Sequence, residues 1–81
     1  MIYPVQVRAA RGLLGLSQED LARRASIGVV TLKRLEAAGT EIRGSAQTMA
    51  RIQKALEQAG IIFVAQDSHT GPGVRLRHPV P

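Results

Sequence analysis

Apolar residues recur at three- and four-residue spacings through the first three-quarters of the chain, as they do in amphipathic helices. The first such stripe consists of Val7, Ala10 and Leu14. Gly15 follows the stripe and suits a left-handed helix cap. The pattern therefore predicts a first helix over about residues 4–14.

Three more helices are indicated in the same region. They are predicted over about residues 18–25, over about residues 29–38, and between Ser45 and Gly60. Ser17 and Ser45 each stand immediately before one of these helices, where serine commonly caps an N-terminus. The apolar positions of the three helices are Leu21, Ala25, Leu32, Leu35, Met49, Ile52, Leu56 and Ala59.

The periodicity changes after Gly60. Residues 61–64 are an Ile-Ile-Phe-Val run typical of a strand, and residues 74–77 alternate apolar and charged side chains. A Gly-Pro-Gly turn signal precedes the second run. The chain is therefore predicted to be mainly α, with a helical domain at 1–60 and a β-strand tail at 61–81.

Composition narrows the class of protein. The chain has 81 residues, enough for one domain, and is 44% hydrophobic but only 2% aromatic, so its core has to be aliphatic. It contains no Cys, which excludes disulfides and thiolate zinc sites. No apolar run approaches the roughly 20 residues of a membrane span, and the N-terminus lacks a signal-peptide pattern. We therefore expect a cytoplasmic protein that does not enter a membrane.

Charge favours a polyanionic partner. Eleven Lys and Arg stand against six Asp and Glu, and nine of the eleven are Arg. Arginine suits bidentate contacts to phosphates and guanine edges, although a net charge of +5 also simply keeps a small domain soluble. Scarce aromatic residues argue against stacking recognition of single strands.

The residue pattern does not indicate an enzyme. His69 lies in a polar segment and His78 in the tail, and neither belongs to a metal-ligand or Ser-His-Asp arrangement. We therefore predict no catalytic residues, no metal and no cofactor.

The second and third predicted helices, separated by a three-residue break, indicate a helix-turn-helix unit over about residues 17–38. The segment Leu16-Ser17-Gln18-Glu19-Asp20-Leu21-Ala22 opens this unit, and Ile27, Thr31, Leu32, Leu35 and Glu36 continue in register. Together they resemble the lambda-repressor-like, XRE-type (Cro/C1-type) family of small bacterial and phage regulators. The resemblance covers about residues 4–60. It implies a compact four-helix domain and a transcriptional regulator, often a repressor that occupies promoters.

The resemblance implies that the third helix lies in the DNA major groove. Base-reading candidates are Val29, Val30, Lys33 and Arg34. Arg34 could pair with guanine. Related proteins often carry Gln, Ser or Arg where this chain has its two valines, which cannot hydrogen-bond a base but could pack on a thymine methyl group. The alternative is a protein-contacting surface or, for Val29, a place in the core.

Phosphate contacts are expected at Gln18, Gly28, Thr31 and Arg43. Gln18 lies at the start of the second helix, where backbone N–H groups attract anions, and matching positions in the family often touch the DNA backbone. The alternative is a solvated first-turn glutamine. Ser26 stands where the turn usually has Gly, so the turn has to tolerate a Cβ atom.

The resemblance also implies an ion pair between Arg11 and Glu36, with a structural role. The alternative is two independent surface charges.

The tail could serve dimerisation. Candidate interface residues are Ile61, Phe63, Val74 and Leu76. They would either pair with a second copy across a two-fold axis or dock onto the first and fourth helices. A dimer would place two recognition helices about 34 Å apart, which suits a palindromic operator.

The leading function is therefore a sequence-specific, homodimeric regulator that binds double-stranded DNA. The alternative is an antitoxin-type or adaptor helix-turn-helix protein whose main role is to bind a protein partner.

Overall fold

The computed structural model describes residues 2–41 and 44–81, and these form four helices followed by a two-stranded antiparallel hairpin. The elements are α1 (Pro4–Leu14), α2 (Gln18–Ala25), α3 (Val29–Glu36), α4 (Ala46–Gln58), β1 (Ile61–Val64) and β2 (Gly73–Leu76). The predicted fold class is confirmed. None of the described helices has the length and apolarity needed to cross a bilayer.

Helix α3 ends two residues earlier than its predicted limit. The Ala38 N–H donates to the Leu35 carbonyl, three residues back, which tightens the last turn. Gly39 follows with φ of 65°, a left-handed conformation that ends helical geometry. Apolar periodicity alone does not predict this earlier end, because Ala37 and Ala38 are compatible with a longer helix.

Helix α2 begins with a capping box. The Asp20 N–H donates to Ser17 Oγ at 3.0 Å, and the Ser17 N–H donates to Asp20 Oδ2 at 3.2 Å. Hydrogen bonds from the Ser17 side chain and backbone lower the pKa of Asp20. Aspartate thus performs here the function that Glu or Gln has in the usual box.

The core is aliphatic and draws on every helix and on β1. Its largest fully buried side chains are Val7, Leu21, Leu32, Ile52, Leu56, Ile61 and Pro4. Ala22 is also buried, and its small side chain suits the position where α2 packs against neighbouring helices. Because Ile61 belongs to this core, the hairpin and the helices share a single hydrophobic interior.

The hairpin docks onto its own chain. Ile61 pairs with Leu76 and Phe63 with Val74, so all four predicted interface residues lie on one face of the sheet. Ile61 is fully buried, and the other three are partly buried against the core. β2 contacts α1 and β1 contacts α4. The hairpin therefore packs on its own chain as in the docking alternative, which buries Ile61 and leaves only part of Phe63, Val74 and Leu76 exposed.

A buried glutamine clamps the hairpin to α1. Gln6 is only 3% exposed, and its Nε2 donates to the carbonyls of Gly73 at 2.9 Å and Val64 at 3.3 Å. Its Oε1 accepts the Tyr3 N–H at 2.7 Å. One side chain therefore satisfies both the start of α1 and the turn side of the hairpin.

We predict that Gln6→Ala lowers the free energy of unfolding by about 2–4 kcal/mol, because it leaves buried polar backbone groups without partners. Urea denaturation followed by circular dichroism measures the loss. The matched control is Gln47→Ala on the exposed surface of α4, for which we expect a change within about 0.5 kcal/mol. Equal losses in the two variants would show that Gln6 is not a clamp.

Candidate nucleic-acid interface

Helices α2 and α3 form a helix-turn-helix unit with a left-handed residue at its turn. Ser26 has φ of 57° and ψ of 46°, and among the described residues it is the only non-glycine with positive φ. Its N–H and that of Ile27 donate to carbonyls in the last turn of α2. Ser26 is exposed, so its Cβ atom is accommodated without crowding the core.

The two valines of α3 have different environments. Val29 is half-buried and packs against the core, whereas Val30 is 63% exposed. Leu32 and Leu35 are buried, so they hold the opposite side of the helix against the body of the domain. Val30 is therefore the more exposed of the two valines and lies on the outward face.

Two cations share the outward face with Val30. Lys33 and Arg34 are both exposed, and neither makes a hydrogen bond or ion pair within residues 2–41 and 44–81. Arg34 also lines a cleft between α3 and the start of α4, together with Thr31 and Thr48. The positive charges of this face are thus not neutralised by the described part of the chain.

The start of α3 has no side-chain cap. Gly28 occupies the N-cap position and is exposed, as is Thr31 in the first turn. The first N–H groups of a helix lack intrahelical partners and favour anions. The expected phosphate contacts Gly28 and Thr31 therefore border the same outward face as Lys33 and Arg34.

Arg11 and Glu36 form a two-pronged ion pair. Arg11 Nε lies 2.8 Å from Glu36 Oε2, and Arg11 Nη2 lies 2.8 Å from Oε1. The Glu36 side chain is 3% exposed and that of Arg11 is 20% exposed. Hydrogen bonding to Glu36 raises the pKa of Arg11 above its ordinary value. The last residue of α3 is thus tied to α1.

Gln18 joins the same network. Its Nε2 donates to Glu36 Oε1 at 3.1 Å, and Arg11 Nη1 donates to the Leu16 carbonyl at 3.0 Å. The side chain that was expected at a phosphate therefore already has a protein partner. Its backbone remains in the first turn of α2, and its side-chain amide keeps one further N–H.

Arg8 is a basic residue that the sequence pattern did not single out. It lines a surface groove with Arg11, Gln18 and Lys33, so it places another exposed cation beside the outward face of α3. The sequence signal that could have identified Arg8 is its position three residues before Arg11, because this spacing places both side chains on one side of α1. Arg43, the fourth expected phosphate contact, lies outside the described residues.

A second basic groove lies between α2 and α4. Arg24, Arg51 and Lys54 line it, and Arg51 Nη1 donates to the Ser26 carbonyl at 3.5 Å. Arg24 is distant in sequence from Arg51 and Lys54, so only the packing of α2 against α4 brings it beside them.

We predict that Glu36→Ala lowers the free energy of unfolding by about 3–5 kcal/mol, because it leaves the Arg11 guanidinium partly buried without its carboxylate. Urea denaturation measures this loss. Replacing both partners, Arg11→Met with Glu36→Met, should recover much of it, since no unpaired charge remains. The surface control Glu57→Ala should stay within about 0.5 kcal/mol. A loss below about 1 kcal/mol in Glu36→Ala would contradict a structural role for the pair.

Comparison with known proteins agrees with this geometry. A family model described as helix-turn-helix matches residues 7–58, which include α2, the turn and α3. No curated protein shows significant sequence similarity to the chain. The match covers more than half of the chain and supports a DNA-binding regulator. The chain belongs to the Cro/C1-type, XRE family of helix-turn-helix proteins.

Proposed function

We propose that the protein is a sequence-specific transcriptional regulator that binds double-stranded DNA with α3 in the major groove. The observation that carries this proposal is the outward face of α3, where Val30, Lys33 and Arg34 are exposed and both cations lack partners in the described chain. Exposed, unpaired cations on a helix that fits the major groove favour a nucleic-acid partner.

Phosphate contacts and base contacts come from different parts of the same surface. The uncapped start of α3 and the exposed cation Arg8 favour phosphates, which position the helix. Arg34 presents a planar guanidinium that matches the O6 and N7 acceptors of guanine. The Arg11–Glu36 pair stays inside the domain and holds the orientation of α3. None of these roles requires catalysis, a metal or a cofactor, so we infer that the protein is not an enzyme. We infer also that it acts in the cytoplasm and represses transcription by occupying promoters.

We infer further that the protein acts as a homodimer on a palindromic operator. Ile62 and Val64 point to the face of the hairpin opposite the core and are exposed, with Arg75 opposite Ile62 on the neighbouring strand. In a two-stranded sheet, each strand also has one unpaired edge. Packing of two such hairpins face to face would cover the exposed aliphatic side chains of Ile62 and Val64. In the alternative function, as an antitoxin-type or adaptor protein, the chain would bind its protein partner through the same face of the hairpin.

We predict that Arg34→Ala weakens binding to the preferred duplex by about 1–3 kcal/mol and relaxes the preference for guanine at one position. Selection from random duplexes identifies the preferred sequence, and fluorescence anisotropy on matched and base-substituted duplexes measures the change. Lys33→Ala tests the neighbouring cation. If Lys33 contacts a phosphate, affinity falls equally on all duplexes and the salt slope decreases by about 1.

The control is Arg24→Ala, which removes the same charge from an exposed position on α2. It should leave the base preference intact. Uniform weakening by Arg34→Ala, with no change in preference, would assign Arg34 to a phosphate instead.

We predict that Ile62→Lys converts a dimer into a monomer without unfolding it, because the side chain is exposed and a buried lysine in an interface is unfavourable. Light scattering at micromolar concentration measures the mass, and circular dichroism checks the fold. Leu13→Lys, at an exposed position of α1, is the control and should remain dimeric. A wild-type chain that is monomeric both free and on its DNA would contradict the homodimer, and capture of a different protein by the same face would favour the adaptor role.

A further inference from the structure

The first turn of α3 presents an apolar side chain where a base-reading helix usually needs hydrogen-bonding groups. Val30 is 63% exposed, which is the highest exposure of any large hydrophobic residue in a described helix or strand. Val29 packs against the core and is only partly exposed, so it offers less apolar surface to DNA than Val30 does. Most of the apolar surface offered to a partner at this turn is therefore the isopropyl group of Val30.

Val30 and Arg34 lie four positions apart, on the same side of α3. Side chains with this spacing have Cβ atoms about 5–6 Å apart. Base pairs are stacked about 3.4 Å apart, so two such side chains fall within one or two base pairs of each other. If Arg34 binds a guanine, the isopropyl group of Val30 lies against a base pair that is one or two positions away from that guanine.

Only one kind of group in the major groove suits a valine. The base edges carry hydrogen-bond donors and acceptors, which an isopropyl group cannot satisfy, and the exception is the C5-methyl group of thymine. Cytosine lacks this group, but methylation at C5 places an equivalent methyl in the same groove. Contact with a methyl group removes apolar surface of both partners from water, whereas an unmethylated pyrimidine offers only its C5 hydrogen at this position and buries less apolar surface.

We propose that Val30 reads the C5-methyl group of a pyrimidine located within two base pairs of a guanine bound by Arg34. The chain therefore selects thymine or 5-methylcytosine over an unmethylated pyrimidine at one position in each half-site. This inference rests on the proposed sequence-specific binding of DNA, and it assigns to Val30 a specificity that does not use hydrogen bonds.

The test uses the full-length chain and the duplex recovered by selection from random sequences. Each thymine in turn is replaced by deoxyuridine, which removes only the C5-methyl group and retains all hydrogen-bonding atoms. We expect one position per half-site at which affinity falls about three- to fivefold, the factor associated with burial of one methyl-sized group. At that position, 5-methylcytosine paired with guanine should bind better than unmethylated cytosine by a similar factor.

The variant Val30→Ala links the effect to this side chain. It should lower affinity for the thymine duplex and bring the ratio of the thymine and deoxyuridine affinities close to one. Leu13→Ala removes exposed apolar surface from α1 and should retain the wild-type ratio of the two affinities. Circular dichroism verifies that both variants fold, and Val30→Thr, which keeps one methyl group and the β-branch, should retain part of the ratio.

The outcomes separate this inference from the proposed function. If a preferred sequence emerges but no thymine is sensitive to loss of its methyl group, the inference is wrong and sequence-specific binding stands. The inference is also wrong if Val30→Ala keeps the wild-type ratio. If no sequence is enriched, both the inference and sequence-specific binding are wrong.

Discussion

The position of α3 depends on the buried carboxylate of Glu36. This side chain ends α3, receives two hydrogen bonds from Arg11 of α1, and receives a third from Gln18 at the start of α2. The carboxylate is almost fully removed from water, so its charge requires these partners. The network therefore couples the orientation of α3 to the relative placement of the two preceding helices. Because a misplaced helix would leave a buried charge unpaired, the network favours a single arrangement of the outward face.

The distribution of partners separates the basic residues into two groups. Arg11 is neutralised by Glu36, and Arg23 lies 3.5 Å from Asp20 in an exposed pair that contributes little. Lys33 and Arg34, by contrast, have no partner within the described residues. The net charge of +5 does not by itself indicate a binding surface. What indicates one is that exposed, unpaired cations lie on the side of α3 that faces away from the core.

The hairpin helps a small domain complete its interior. A chain of this length buries only about 60–65% of its unfolded surface, and its scarcity of aromatic residues limits what the helices can bury alone. Ile61 extends the helical core, and Gln6 satisfies two hairpin carbonyls and the N-cap backbone of α1. The docked hairpin in turn directs Ile62 and Val64 outward, which leaves an exposed aliphatic surface beside unpaired strand edges.

The sequence by itself determined the local elements, because apolar periodicity, serine caps and glycine stops act over only a few residues. It also indicated that Leu32 and Leu35 face inward and Arg34 outward, since these positions follow directly from the helical period. It could not decide between docking and pairing for the hairpin, because an alternating strand specifies an apolar face but not what covers it. It also could not predict the hydrogen-bond partners of Gln6 and Gln18. Those of Gln6 lie 58 and 67 residues away along the chain, and that of Gln18 lies 18 residues away. Tertiary packing decided these points, because buried polar groups require partners that only the folded chain brings within hydrogen-bonding distance.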